Sequence, residues 1–181
     1  MKSAILKAAT VLAALTALIS SCSKDSSKNI TGSYSYKISG TVTLMASQLV
    51  GLDETTLKAY KASGVDVEPK VVGLFPEQGQ MHIIDDGEKV IVTFNDILGN
   101  ADVTYATIEG NKITLTGTDI KAAQLTDGTL KIGSGLVQFG GSGKKNDDML
   151  IIDMVYNGSF TISGTPMTVV ASSVKCVAQH N

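Results

Sequence analysis

Tryptophan and arginine are both absent from the 181 residues of the chain. A phosphate backbone is bound by basic surfaces and arginine side chains, so this absence, together with a net charge of −2, excludes nucleic acid as a partner. Without tryptophan, a sugar ring would have to stack on one of the five tyrosines or four phenylalanines. The composition therefore directs the search for a partner away from nucleic acid.

Cysteine is also scarce, since Cys22 and Cys176 are the only two. An intramolecular disulfide between them requires that both thiols stay unmodified. Cys176 lies close to Val174 and Val177 in an apolar run. We predict that it is a small buried side chain near the last strand, because a reactive thiol needs an exposed, electropositive setting.

The first 21 residues have the features of a bacterial lipoprotein signal peptide. Lys2 and Lys7 make its start positive, and the short apolar segment around them is interrupted by two threonines. A membrane-spanning helix needs about 20 apolar residues, so a cleaved signal is favoured over a permanent anchor. At residues 19–22 the sequence ISSC forms a lipobox, which predicts cleavage before Cys22 and acylation of its thiol. An ordinary secretory signal with an incidental cysteine is the alternative.

Lipidation at Cys22 would leave a mature, membrane-bound chain of 160 residues. Each buried methylene contributes about 0.8 kcal/mol, so a multiply acylated cysteine holds a domain on a membrane essentially permanently. Residues 23–29 are polar and predict a flexible tether. We therefore predict three segments: a cleaved signal peptide at 1–21, the lipidated cysteine and tether at 22–30, and a folded domain at 31–181.

The clearest periodicity in the chain begins at Tyr34. Apolar residues or glycine alternate with polar residues over eleven positions, which is typical of a half-buried β-strand. Gly40 falls on the inward face, where a missing side chain predicts a bend or bulge that lets the sheet curl. The inward positions are Tyr34, Tyr36, Ile38, Gly40, Val42 and Leu44.

Residues 52–64 predict a helix. Asp53 can accept the free amides of the first turn as N-cap, and Gly64 can supply a left-handed stop. Leu57 and Tyr60 lie one turn apart and would cover an apolar opening. Such a helix is either a lid over a ligand cavity or a plug that seals one end of a sheet.

Beyond residue 65, short apolar runs alternate with turn residues. Residues 118–125 predict a single helical turn, and the glycine-rich residues 140–148 predict a mobile loop. In total, eight to ten short antiparallel strands predict an all-β fold, a sandwich or a barrel, with one short inserted helix. Closure into an up-and-down barrel would remove the exposed edges of the sheet. Hairpin turns are predicted at Asp86-Gly87, Asp127-Gly128 and Asn157-Gly158.

Several strand segments resemble those of one family. They are ITGSY at residues 30–34, FNDI at 94–97, KITLTG at 112–117 and YNGSF at 156–160. Together with the signal peptide and tether, they resemble the calycin-like, or lipocalin-like, lipoproteins of gut Bacteroidetes. The pair Lys24 and Asp25 resembles the outer-membrane export signal of some of these lipoproteins. The resemblance implies a single up-and-down barrel of uncharacterised role, lipid-anchored at the outer membrane and facing the periplasm or the cell surface, with no catalytic residue to carry over.

The polar residues predict neither an active site nor a metal or cofactor. His82 and His180 are the only histidines, and His180 is next to last, where chains usually fray, so a two-histidine metal site would require the tail to fold back. A Ser-His-Asp arrangement around His82 has no nucleophile-elbow sequence to support it. The nearest approach to a hard-cation cluster is the set Asn95, Asp96, Asn100 and Asp102.

Two functional hypotheses from different classes follow. In the first, the domain is a non-catalytic binding module for a small apolar or glycan-like ligand. The face of Tyr34, Tyr36 and Ile38 would line the cavity, and Leu57 and Tyr60 would gate it. In the second, a solid barrel acts as a cell-surface interaction or accessory subunit. A hydrolase is the third hypothesis.

Overall fold

A computed structural model describes residues 30–181, which form nine antiparallel strands and one α-helix. The sheet curls round on itself, and the predicted all-β up-and-down barrel is confirmed. The predicted signal peptide, the lipidated Cys22 and residues 23–29 of the tether lie outside the described residues. None of the helices within residues 30–181 has the length and apolar character needed to cross a membrane.

The strands are long at both ends of the chain and short in the middle. A 3-10 turn at Ser47–Leu49 and the helix α1, Glu54–Ala62, separate the first two strands. The strands are β1 Gly32–Ala46, β2 Lys70–Leu74, β3 Glu77–Asp85, β4 Val90–Asp96, β5 Ala101–Glu109, β6 Lys112–Thr126, β7 Lys131–Asn146, β8 Met149–Ile162 and β9 Thr165–His180.

The barrel closes where β1 pairs with β9. The first half of β1 pairs with β3 on its other side, and the second half pairs with β2, which in turn reaches β6. One end of the barrel is therefore a ring of eight strands, whereas the other end, from which β3, β4 and β5 are missing, is a ring of six. The change from eight to six strands takes place along β6.

Side chains fill the barrel interior. The inward positions predicted for β1 are buried apart from Gly40, which is half-buried. The Phe94 ring packs edge-on against Tyr36 and Phe139, with centroid distances of 5.3 and 6.0 Å. Closed barrels of about this size have just enough interior volume for their own side chains. The largest fully buried side chains are Tyr34, Phe94, Phe139 and Phe160.

Gly40 permits the close approach of β1 and β9. A Cβ atom at this position would lie 2.1 Å from the carbonyl oxygen of Ser173, and the backbone φ of +150° is one that few other residues adopt. The pairing register shifts three residues later, between Thr43 and Leu44. The predicted irregularity in β1 is confirmed, although the bulge itself lies beyond the glycine.

Two predictions for β6 and β7 are wrong. Residues 118–125 form no helical turn, because β6 continues to Thr126, and its inward positions include Lys121 and Leu125. Residues 140–148 are not a loop as a whole, because β7 continues to Asn146. A Cβ atom on Gly143 would lie 2.2 Å from the Ile151 carbonyl oxygen, so glycine here allows β7 and β8 to pack backbone against backbone.

The predicted hairpins differ in outcome. Turns at Asp86-Gly87 and at Asp127-Gly128 are confirmed, with an aspartate side chain in each accepting hydrogen bonds from backbone amides of the turn. The prediction of a turn at Asn157-Gly158 is wrong, because β8 runs through these two residues without a break. The pairing of β8 with β9 shifts register in this stretch, and the chain reverses instead at Ser163 and Gly164, both of which have positive φ.

Candidate functional site

The wall of the barrel has a gap between β5 and β6. Their pairing ends at Ala106 and Leu115, and β6 pairs on that side again only at Leu125, with β2. The cause is a bulge in β6, where Gly117 has a φ of +76° and the register with β7 shifts. The bulge turns β6 away from β5 and leaves the facing edges of both strands unpaired, while β6 stays paired with β7 and β5 with β4.

A buried ion pair crosses this gap. The side chain of Lys121 points inward from β6 and is 1 % exposed. Its Nζ lies 2.5 Å from Oε2 of Glu77 on β3 and 3.2 Å from Oδ2 of Asp102 on β5. The Tyr36 hydroxyl donates a 2.7 Å hydrogen bond to Oε1 of Glu77. These four residues, which we call the Lys121 network, come from β1, β3, β5 and β6 and join four strands where hydrogen bonds of the sheet are missing.

The surroundings of the Lys121 network explain how a charge is tolerated in the interior. The Nζ of Lys121 lies 5.6 Å from the centroid of the Phe139 ring and 6.0 Å from that of Phe94, so cation–π interactions also stabilise its charge. Burial, and then the hydrogen bond to Glu77, raise the pKa of Tyr36 far above its ordinary value. The Tyr36 hydroxyl therefore keeps its proton at physiological pH and acts as a hydrogen-bond donor to Glu77.

Two further polar groups near the network have no protein partner. The pKa of Tyr156 is raised by burial and then by the charges of Glu77 and Asp102, yet its hydroxyl makes no hydrogen bond within residues 30–181. Oδ2 of Asp119, on the inward face of β6, is likewise buried without a partner in that part of the chain. A ligand or water could satisfy either group, since buried polar atoms are normally hydrogen-bonded.

A cavity of about 530 Å³ opens beside the gap. It lies between the β2–β3 connection, the β4–β5 turn and β6. Its inner wall includes the buried side chains of Ile38, Leu74 and Tyr156, together with Glu77 of the Lys121 network. Its mouth carries three exposed apolar side chains. They are Phe75, Ile97 and Leu98, which are 42 %, 70 % and 79 % exposed.

The five predicted ligand-binding residues are divided by the structure. Ile38 lines the cavity, and Tyr36 donates a hydrogen bond to Glu77, which also lines it. Tyr34 also points inward, but it is completely buried away from the cavity and donates a hydrogen bond to the Ile30 carbonyl. Leu57 and Tyr60 do not line the cavity. The helix α1, which carries them, buries none of its side chains. The helix is shorter than the predicted residues 52–64, but its capping residues are as predicted. The Asp53 carboxylate accepts a hydrogen bond from the Thr56 amide at 2.9 Å, and Gly64 has a positive φ.

The residues that carry most of the site, Lys121, Glu77 and Tyr156, are absent from the sequence-based prediction. One signal could have revealed Lys121. It occupies the same phase of alternation as Ile113, Leu115 and Leu125, and a charge at an inward position requires a partner. Glu77 and Tyr156 give no such signal, because they come from strands whose position relative to β6 is set only by closure of the barrel.

The histidines and the oxygen-ligand cluster form no metal site within residues 30–181. His82 and His180 lie on opposite sides of β1, next to Ser33 and Tyr34 respectively. Nδ1 of His82 is 2.9 Å from the Ser33 hydroxyl, but no carboxylate in the described chain contacts the ring to complete a triad. His180 is paired in β9 instead of fraying, and its ring stands edge-on to Tyr34 at 4.9 Å.

The predicted cluster of Asn95, Asp96, Asn100 and Asp102 separates into two groups. Asp96 accepts hydrogen bonds from the Leu98 and Asn100 amides and from the Asn100 side chain, which lower its pKa and shape the β4–β5 turn. Asp102 belongs to the Lys121 network. The carboxylates therefore do not converge on one cation.

Cys176 has the environment that the sequence predicts. It lies in β9 and is completely buried. Burial raises the pKa of its thiol to about 12, so almost none of it is thiolate at neutral pH. The side chain acts as a small apolar part of the core.

No protein-family model, curated protein or solved structure matches the chain. The resemblance to lipocalin-like lipoproteins stays a prediction.

Proposed function

We propose that this protein is a lipid-anchored, non-catalytic binding module that takes a small, partly apolar or glycan-like molecule into the cavity beside the Lys121 network. The observation that carries the proposal is the combination of an apolar mouth with a polar inner end in a cavity of about 530 Å³. Ligand pockets are typically clefts of about 300–1,000 Å³ with mainly apolar walls and a few placed polar groups.

The lining suggests how such a ligand would bind. An apolar portion would cover Phe75, Ile97 and Leu98, whose side chains are exposed to water in the free protein. A polar portion would reach the free hydroxyl of Tyr156 and the carboxylate of Glu77. The first can donate a hydrogen bond and the second can accept one, so a hydroxyl or amide of the ligand would satisfy both.

The Lys121 network would keep the polar end of the cavity rigid. The Glu77 carboxylate is held from two directions, by the hydroxyl of Tyr36 and by the ammonium group of Lys121. A side chain fixed in advance loses little conformational entropy when a ligand arrives, which increases affinity. We therefore assign Lys121 and Tyr36 a positioning role and Glu77 and Tyr156 a contact role.

The cavity assignment predicts that Leu98→Asp weakens ligand binding about tenfold, because burial of a leucine contributes about 1.5–3 kcal/mol. Native mass spectrometry and thermal-shift screens against lipid and glycan panels would first identify a ligand, and titration would then compare the variants. Ile84→Asp is the matched control, since Ile84 is an exposed apolar residue near the other end of β3. Equal affinity in the Leu98 and Ile84 variants would move the site elsewhere, and no ligand in either panel would contradict the binding function.

The membrane anchor predicts a separate result for Cys22→Ser. The variant should stay at precursor mass and leave the lipid-anchored membrane fraction, because serine cannot be thioether-acylated at a lipobox. Cell fractionation and intact mass measurement would show both changes. Cys176→Ala is the control, and it should be processed and anchored normally. Unchanged processing and fractionation of the Cys22 variant would contradict the lipoprotein assignment without affecting the cavity.

A further inference from the structure

A second polar hollow lies on the outer wall of the barrel, at the eight-strand end, far from the Lys121 network. Lys112 on β6 stands directly opposite Lys144 on β7, and both side chains are exposed on the outer face. Side chains at such positions are about 5 Å apart at Cβ, and like charges placed there destabilise a sheet. Neither lysine forms an ion pair with any residue in 30–181. Glu109 on β5 is directly opposite Lys112 on its other side and offsets part of its charge without contacting it.

The next pair on the same face carries hydroxyl groups. Thr114 is directly opposite Ser142, two residues along each strand from the lysine pair. All four side chains line one hollow of about 500 Å³. Asp153 also lines it, but this carboxylate lies 3.4 Å from the ammonium group of Lys175. The hollow therefore combines two ammonium groups that form no ion pair with two hydroxyl donors, and the carboxylates of Asp153 and Glu109 stand beside them.

We propose that this hollow binds a phosphate group between Lys112 and Lys144. A tetrahedral phosphate presents several acceptor oxygens, so two could meet the ammonium groups and others the hydroxyls of Thr114 and Ser142. The anion would also reduce the repulsion between the two lysines. Inorganic phosphate and the headgroup of a phospholipid offer the same chemistry, and the site requires only that chemistry.

Lys144→Glu should have two opposite effects, a higher melting temperature without phosphate and the loss of stabilisation by phosphate. A lysine pair that binds no phosphate would give only the first. In phosphate-free buffer the variant should melt at a higher temperature than the wild type, because an attractive Lys-Glu pair replaces a repulsive one. The wild type should gain thermal stability on addition of phosphate, beyond the effect of chloride at equal ionic strength, and Lys144→Glu should lose this gain. Thr114→Val together with Ser142→Ala should reduce the gain while leaving both charges in place.

Lys58→Glu is the matched charge-reversal control, since Lys58 is an exposed lysine on α1. It should keep the full phosphate-dependent gain. A second arm compares the co-sedimentation of the wild type and Lys144→Glu with phosphatidylglycerol vesicles, with and without inorganic phosphate as competitor. Both proteins carry the same N-terminal anchor, so only a difference between them reports on the hollow. A difference that phosphate removes assigns the site to phosphate in general, and a difference that phosphate does not remove assigns it to a lipid headgroup. No phosphate-specific gain in the wild type, or the same gain in Lys144→Glu, would overturn the proposal.

Discussion

Replacement of Lys121 by alanine is expected to destabilise the barrel by about 3 kcal/mol or more, because it removes the cation of a buried ion pair. The variant would leave the carboxylates of Glu77 and Asp102 facing each other at the gap with no cation between them. Both carboxylates keep partial contact with water, at 22 % and 27 % exposure, so the loss should fall toward the low end of the range for buried ion pairs. Urea denaturation would measure it.

Lys175→Ala is the matched control for this experiment. Lys175 also contacts a carboxylate, that of Asp153, but both side chains are exposed, so its removal should cost less than about 1 kcal/mol. Lys121→Met should be nearly as harmful as alanine, because it keeps the packing of the side chain but not the charge. Adding Glu77→Gln and Asp102→Asn to Lys121→Met should recover much of the loss. A Lys121→Ala variant as stable as the wild type would mean that the network does not hold the gap.

Gly143→Val is expected to destabilise the barrel by about 3 kcal/mol, or to prevent folding. A Cβ atom at this position would lie 2.2 Å from the carbonyl oxygen of Ile151 and 2.7 Å from the Cα of Ile152. Both are backbone atoms of β8, which cannot move aside without breaking the pairing of β7 with β8 on both sides of the contact. Denaturation in phosphate-free buffer would measure the change.

Ser134→Val is the control for the glycine variant. Ser134 lies on the same strand, and its side chain is exposed on the outer face, where a β-branched residue is well tolerated. Its stability should stay within about 0.5 kcal/mol of the wild type. If Gly143→Val were tolerated equally well, the end of β7 would be the loose segment that its glycine content suggests, and the strand would end earlier.

Local patterns predicted the parts of the fold that local physics determines. The alternation from Tyr34 to Leu44 identified β1 and its buried face, and Asp53 and Gly64 identified the ends of α1. The same reasoning failed at residues 140–148 and at Asn157-Gly158. The glycines there allow the backbones of neighbouring strands to approach each other. A local pattern does not show the neighbouring strand, so it predicts a loop or a turn instead.

The candidate site shows the same division. Tyr36 and Ile38 were predicted to line a cavity. Ile38 lines the one beside the Lys121 network, whereas Tyr36 only contacts its Glu77. Leu57 and Tyr60 were expected to gate it, but the helix that carries them does not reach it. The cavity mouth is formed instead by Phe75 and the β4–β5 turn, whose exposed apolar residues look like ordinary turn residues in the sequence.

The sequence by itself determined that the chain is an all-β domain with one helix and a buried Cys176, because alternation, capping and apolar content are encoded within short segments. It also carries the prediction of a lipid anchor at Cys22. Only the tertiary structure decided where the sheet closes, where its wall opens and which charges meet there. Lys121, Glu77 and Asp102 come from three different strands, and no local pattern can bring them together, because their distances follow from the register of the closed barrel and from the bulge at Gly117.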